Sequence, residues 1–437
     1  MAATRKITNR AFSVLLIAAL VIVGMSVYVL RYIDHGKEWA LYFSRANTGS
    51  TGHLVDRNGI TLAYFSGADN LFSPDRETRV ANYHVTGDYW GRTGTGLLSR
   101  FWKDTNSFSL LTGTTHASDK LLQLTIDARL NNRIYEALGE DCEGCMLVCN
   151  YRTGELLGMV SVPSTDPVDG NAELREGTFI NRCISASFTP GSIFKLITAS
   201  AAIENLPNLD KRTWYCEDGV KIAGVEITCI ADHYTQSFEQ ALANSCNVAF
   251  AQIAVELGQD RMIRYTRDYG FLDGHSLDGI PTAAGSYPLE FVGDPETGWS
   301  GIGQSTDMVV PYSMLRFLCA VANGGTLIEP HLLLGENPTA SVLVKPSTAD
   351  KLGQMMNYNA VSHYNADVLF PGMTVCAKTG TAELGDGDSH SWFVGYLADE
   401  ETPYAFVTLV ERGGFGITRA GVAASEVMQW AVENLER

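Results

Sequence analysis

The sequence predicts an α/β (α+β) fold: a five-stranded antiparallel sheet flanked by helices, preceded by a transmembrane helix and a small N-terminal domain. Three observations carry this. Strand-like runs fall in two groups, a hairpin near 146–161 and three strands between 375 and 411. Helical patterns occupy the interval and close the chain at 420–435. An uncharged apolar stretch fills 11–30.

From the N-terminus, Arg5, Lys6 and Arg10 precede the apolar run with no acidic residue among them. Twenty apolar residues suffice for a helix to cross about 30 Å of hydrocarbon. Basic residues on its leading side orient the N-terminus to the cytoplasm. The run is longer than the apolar core of a signal peptide and no small-residue cleavage site follows closely, so an uncleaved anchor is expected. The expected domains are a cytoplasmic tail at 1–10, an anchor at 11–31, a small domain at 32–119 and a main domain at 120–437. Everything after about Arg31 then lies outside the cytoplasmic membrane. A net charge of −17 argues against nucleic acid, whose binding needs a basic face.

In the main domain, Met146–Asn150 and Glu155–Ser161 pair across the turn Arg152-Thr153-Gly154. Strands are expected at Val375–Thr381, Ser391–Ala398 and Tyr404–Glu411, and an amphipathic helix at Ala420–Leu435. A helix starts near Ser192, after the turn formers Pro190-Gly191.

Three short motifs carry chemistry. Ser192-x-x-Lys195, Ser245-x-Asn247 and Lys378-Thr379-Gly380 follow one another at intervals of about 50 and about 130 residues. A serine hydroxyl is a poor nucleophile until a base takes its proton. Three residues on along a helix, the Lys195 amine can stand beside the Ser192 hydroxyl. It serves as a base only when neutral, and burial plus a neighbouring charge, here Lys378, favours that form. Ser245 can relay a proton between Lys195 and a leaving amine, while Asn247 can hold Lys195 or a substrate amide. Lys378 with the hydroxyls of Thr379 and Thr381 suits a carboxylate, a charge-assisted contact. Gly380 leaves room for a substrate backbone against the strand edge. The N–H groups of Ser192 and Thr381 form a candidate oxyanion hole.

Singly, each motif has an ordinary structural reading: a capping serine with a surface lysine, a helix cap, and a strand ending in a Thr-Gly turn. Together and in this order they resemble the penicillin-binding proteins, specifically the class B monofunctional transpeptidases. The resemblance extends to Leu124–Asp127, Arg152–Ser161, Phe179–Arg182, Ala322–Gly325 with Pro330-His331, and Trp392–Tyr396. Upstream, Gly52–Ala63 is similar to the first strand of the class B pedestal, and His84–Gly87 with Gly94–Leu97 to its later glycine-rich stretch. Departures are Gly303-Gln304-Ser305 for Gly-Gln-Gly, Val310 for a threonine, and Thr51 for an arginine.

The resemblance implies the penicillin-recognising serine acyltransferase fold and a peptidoglycan D,D-transpeptidase. Its substrates would be wall stem peptides, its covalent inhibitors β-lactams, and its partner a separate polytopic glycosyltransferase. The alternatives are a D,D-carboxypeptidase and a non-enzymatic β-lactam sensor or scaffold. A class A β-lactamase is disfavoured because no E-x-x-L-N segment follows Asn247.

Nine cysteines are many for an exported chain, and an odd number leaves at least one unpaired. Cys216 and Cys229 flank the hairpin-like segment 217–228 and are the best disulfide candidates. A reducing habitat with free thiols accounts for the count as well. Cys142, Cys145 and Cys149 with His233 match no standard zinc spacing, so neither metal nor cofactor is expected.

Overall fold

The fold is given by a computed structural model, which describes residues 2–47, 52–66, 69–88, 90–100, 106–109, 113–116, 121–288 and 293–435. The chain divides into two compact units. One comprises Met1–His53, Ala63–Leu71 and Phe101–Leu121; the other comprises Leu54–Leu62, Phe72–Arg100 and Leu122–Arg437.

Helix α1 (Ala2–Asn47) dominates the first unit. Its stretch Arg10–Ile33 is the one helix among the described residues that is long and apolar enough to span a membrane. Its leucines, its valines and the isoleucines before Ile33 are exposed, as a lipid-facing surface requires.

Where one strand was expected at Gly52–Ala63, there are two, Gly52–Val55 and Thr61–Ser66. The reason is the turn at Asp56–Ile60. The Asp56 carboxylate accepts from the N–H groups of Asn58 (2.9 Å) and Ile60 (2.7 Å), so the backbone reverses at Asn58-Gly59.

The second unit is built on an antiparallel sheet of β1 (Gly144–Asn150), β2 (Leu156–Val162), β3 (Val375–Glu383), β4 (Ser389–Leu397) and β5 (Tyr404–Val410). Its spatial order is β3-β4-β5-β1-β2, so the strand carrying Lys378 is an edge. Both faces are covered, which is why the strands read as continuous apolar runs. Met146, Val148, Phe393 and Phe406 join Leu130 and Ile134 of the helix Ala128–Leu138 in one core. Phe370, Phe393 and Phe406 stack there with centroids 5.8–6.3 Å apart. The opposite face carries the helix Pro311–Ala322.

Between the two strand groups lie α2 (Lys195–Asn205), α3 (Phe238–Ala243), α4 (Asn247–Leu257) and α5 (Pro346–His363); α6 (Val422–Asn434) closes the chain. A capping box starts α3: Ser237 Oγ accepts from Gln240 N (3.2 Å), and Gln240 Oε1 accepts from Ser237 N (2.9 Å). Two small two-stranded ribbons stand beside α3 and α4. Thr213–Cys216 pairs with Tyr234–Ser237, and Gly219–Ile222 pairs with Val225–Thr228.

All nine cysteines are free, so of the two accounts of the cysteine count the structure has the free thiols, and the candidate pair Cys216 and Cys229 is not bridged. Cys229 Sγ instead lies 4.0 Å from the sulfur of Cys246, twice the length of an S–S bond.

Candidate active site

Ser192 lies in a tight 3-10 turn, Gly191–Phe194, that runs directly into α2. The turn is pinned on two sides. Gly191 N donates to Gly303 O (2.9 Å), and Trp392 Nε1 on β4 donates to Thr189 O (3.0 Å). Gly303 has φ +76°, and a Cβ there would fall on the Gly191 carbonyl oxygen, so only glycine fits beneath the turn. Sequence reading noted Gly303 as part of a departed landmark and missed this buttressing role.

The three motifs converge. Lys195 Nζ lies 3.0 Å from Ser192 Oγ, 2.6 Å from the Ser245 carbonyl oxygen, 2.8 Å from Asn247 Oδ1 and 3.3 Å from Ser245 Oγ. Lys378 Nζ donates to Ser245 Oγ (3.0 Å) and to the Thr379 carbonyl (3.0 Å). Both amines are completely buried. Burial, and then the Lys378 charge, lower the pKa of Lys195 to about 7; burial alone brings Lys378 to about 7.

The acceptors around Lys195 have a chemical consequence. A carbonyl and an amide oxygen cannot donate, so a neutral amine gives its two protons to Ser245 O and Asn247 Oδ1. Its lone pair is then left for the Ser192 hydroxyl.

Local backbone aims these groups. The last turn of α3 leads into Ser245, whose φ of +53° turns its carbonyl toward Lys195. A non-glycine residue in that region stores about 1–2 kcal/mol, a common signature of functional loops. Asn247 opens α4 and is anchored at its other end by Nδ2 donating to Thr228 O (3.0 Å).

Thr379 and Thr381 alternate with the buried Lys378 and Gly380 along β3, so their side chains are half-exposed. A Cβ on Gly380 would meet Pro190 O at 2.9 Å and Ile193 Cγ2 at 3.0 Å. This corrects the expectation of a space for substrate backbone: glycine is required because the edge strand lies hard against the Ser192 turn. Sequence reading also missed Tyr364. Its hydroxyl accepts from Thr379 N (3.0 Å) and Asn359 Nδ2 (2.9 Å) and lies 2.8 Å from Thr379 Oγ1. With both N–H groups donating to it, its single proton goes to Thr379 Oγ1. No local motif marks Tyr364, because its partner lies 15 residues away on another element.

Residues 144–429 match the family model described as the penicillin binding protein transpeptidase domain. Stage V sporulation protein D of Bacillus subtilis is 26% identical over 348 residues, 72% of this chain and 54% of that protein. The peptidoglycan D,D-transpeptidase PbpA of Mycobacterium tuberculosis is 27% identical over 355 residues, 70% of each chain. The chain therefore spans about half the length of the first relative and 70% of the second. Among solved structures, the penicillin G acyl-enzyme complex of M. tuberculosis penicillin-binding protein A superimposes with TM-score 0.71 at 22% identity. That likeness covers 88% of this chain and 99% of the other. With its five-stranded sheet, its N-terminal apolar helix and a family match over most of its length, the chain belongs to the penicillin-binding transpeptidases, among the class B proteins.

Proposed function

We propose that this chain is a serine-type peptidoglycan D,D-transpeptidase that cross-links wall stem peptides through an acyl-enzyme on Ser192. The observation that carries the assignment is the buried Lys195 amine, 3.0 Å from Ser192 Oγ and shielded from water. Ser192 Oγ bonds to the penultimate D-alanyl carbonyl carbon while its proton passes to Lys195 Nζ. The N–H groups of Ser192 and Thr381 hold the developing oxyanion, each worth roughly 3–4 kcal/mol in the transition state. The C–N bond then breaks, and the proton reaches the departing D-alanine amine through Ser245 Oγ, which lies between the two lysines. An amine of a neighbouring stem peptide attacks the ester, returns a proton by the same route and frees Ser192.

Lys378, Thr379 and Thr381 hold the substrate carboxylate, and the edge of β3 beyond Thr379, whose preceding groups are taken by Asn357, Asn359 and Tyr364, lets the peptide lie along it as an added strand. Gly380 serves this site by allowing β3 to press against the Ser192 turn. A β-lactam takes the same place and leaves its acyl group on Ser192. The α1 helix is a single anchor, with Arg5, Lys6 and Arg10 placing the N-terminus in the cytoplasm and the catalytic body outside. A separate polytopic glycosyltransferase that supplies the glycan strands is the partner that the resemblance to class B proteins implies.

The test supplies uncross-linked glycan bearing stem pentapeptides and measures D-alanine release together with dimeric cross-links. Both should appear with the wild-type chain and vanish with Ser192→Ala. D-alanine release without cross-links would replace transpeptidation by D,D-carboxypeptidation.

A further inference from the structure

We propose that Cys216, Cys229, His233 and Cys246 hold a zinc ion in a closed structural site that fixes the Ser245–Asn247 loop beside Lys195. The four residues come from four places: the end of Thr213–Cys216, the residue after Val225–Thr228, the residue before Tyr234–Ser237, and the N-cap of α4. Their donor atoms nevertheless all lie within 4.8 Å of one another. Cys229 Sγ is 3.6 Å from His233 Nδ1 and 4.0 Å from Cys246 Sγ. With Zn–S near 2.3 Å and Zn–N near 2.05 Å, a tetrahedral site has S···N and S···S edges of about 3.6 and about 3.8 Å. Those edges fit zinc and are far too long for a disulfide.

The surroundings support the same reading. The Cys229 sulfur accepts the Asn247 N–H (3.3 Å) and the Cys246 sulfur accepts the Ala249 N–H (3.4 Å), contacts that stabilise thiolates and aim them. Cys216 and Cys246 are fully buried, while Cys229 and His233 are half-buried, which leaves a path for the ion to enter. The two ribbons that carry three of the ligands expose Tyr215, Val225 and Tyr234 and bury little. Isolated two-stranded ribbons are marginal in water and need a staple. The sequence records the arrangement as a symmetric spacing, C-x12-C-x3-H-x12-C.

Three thiolates and one imidazole complete a four-coordinate shell, so the ion has no open position and performs no Lewis-acid step. Binding releases the thiol protons it displaces. The consequence for the site is positional. Cys246 stands between Ser245 and Asn247, and Cys229 holds the Asn247 N–H. One ion would thus fix both residues that face Lys195. These ligands are positioning residues, not catalytic ones.

The experiment uses the full chain in detergent, purified under reducing conditions without chelator. Elemental analysis should find one zinc per chain, and Cys216→Ser and His233→Ala should each lose it. Stripping with a chelator should lower the rate of acylation by a fluorescent penicillin at least tenfold, and added Zn²⁺ should restore it. Should the variants fail to fold, Co²⁺ added to the stripped wild type provides a second readout: tetrahedral d–d bands with thiolate-to-metal charge transfer. Absence of zinc, a Cys216–Cys229 disulfide, or a cobalt spectrum without thiolate bands would each overturn the proposal. Iron at the site would overturn the choice of metal. A zinc-bound chain that no penicillin acylates would contradict the function proposed above while leaving the metal site standing.

Discussion

The Lys195 amine gives the most quantitative prediction, because its protonation state decides whether Ser192 can be activated. Burial and the neighbouring Lys378 place its pKa near 7. Only the neutral form is a base, so acylation must rise with pH. For a pKa of 7 the neutral fraction is about one tenth at pH 6, half at pH 7 and nine tenths at pH 8. The rate of acylation at saturating penicillin, whose carboxylate keeps Lys378 charged in the complex, should therefore rise about tenfold from pH 6 to pH 8 and flatten above. A lysine with an ordinary pKa of 10.5 would give a hundredfold rise over that interval with no plateau. Replacing Lys378 with methionine removes the charge that helps keep Lys195 neutral, so the midpoint should move to higher pH. Stopped-flow measurement with a fluorescent penicillin between pH 5.5 and 9.5 separates these cases. A rate independent of pH across 6–8, or a Lys378→Met midpoint displaced downward, would refute the base assignment.

Three further outcomes follow from the same geometry. Between pH 7 and 10.5 the unfolded Lys195 binds a proton that the folded one does not, so stability rises with pH through that window. Below pH 7 the full cost is present, on the order of 5 kcal/mol. Lys195→Met should therefore abolish acylation yet leave the fold at pH 6 within about 1 kcal/mol below to about 3 kcal/mol above the wild type, the gain being offset by leaving Ser245 O and Asn247 Oδ1 unpaired. Calorimetry showing a loss of about 3 kcal/mol or more at pH 6 would contradict it. Gly303→Ala forces a Cβ onto the Gly191 carbonyl and should cost about 2–3 kcal/mol of stability, with acylation slowed roughly a hundredfold as Ser192 moves; unchanged acylation would show that the turn is not held there. Tyr364→Phe deprives Thr379 of its partner and should reduce acylation efficiency about tenfold, through a loss of about 1–3 kcal/mol. Its pH midpoint should match the wild type, and a shifted midpoint would place Tyr364 in the proton path instead.

What could be read from the chain depended on whether the signal was local. The strands of the main sheet announce themselves as apolar runs between turns, and their observed limits differ from expectation by one or two residues. Ser192 and Lys195 were legible as a pair because helical geometry joins positions three apart. Their meeting with Ser245, Asn247 and Lys378 depended on the motif order, since no local rule joins residues 50 and 133 positions apart. Tyr364 and the support of Gly303 were invisible for the same reason: each acts through one long-range contact that leaves no periodicity. Gly380 was noticed with the wrong reason attached, because a glycine in a strand shows that something approaches closely but not what. The cysteines failed differently. Reading Cys216 and Cys229 as flanking a hairpin suggested a bridge between two, whereas the adjoining ribbon and the start of α4 bring His233 and Cys246 to the same point.

The central claim is that Ser192 is the nucleophile, and the most direct measurement is the position of the covalent adduct. The full chain would be labelled with a penicillin, digested, and mapped by mass spectrometry. The adduct should lie on the peptide containing Ser192, persist after denaturation, and be missing from Ser192→Ala while that variant still folds. An adduct on Ser245, or undiminished labelling of Ser192→Ala, would contradict the account.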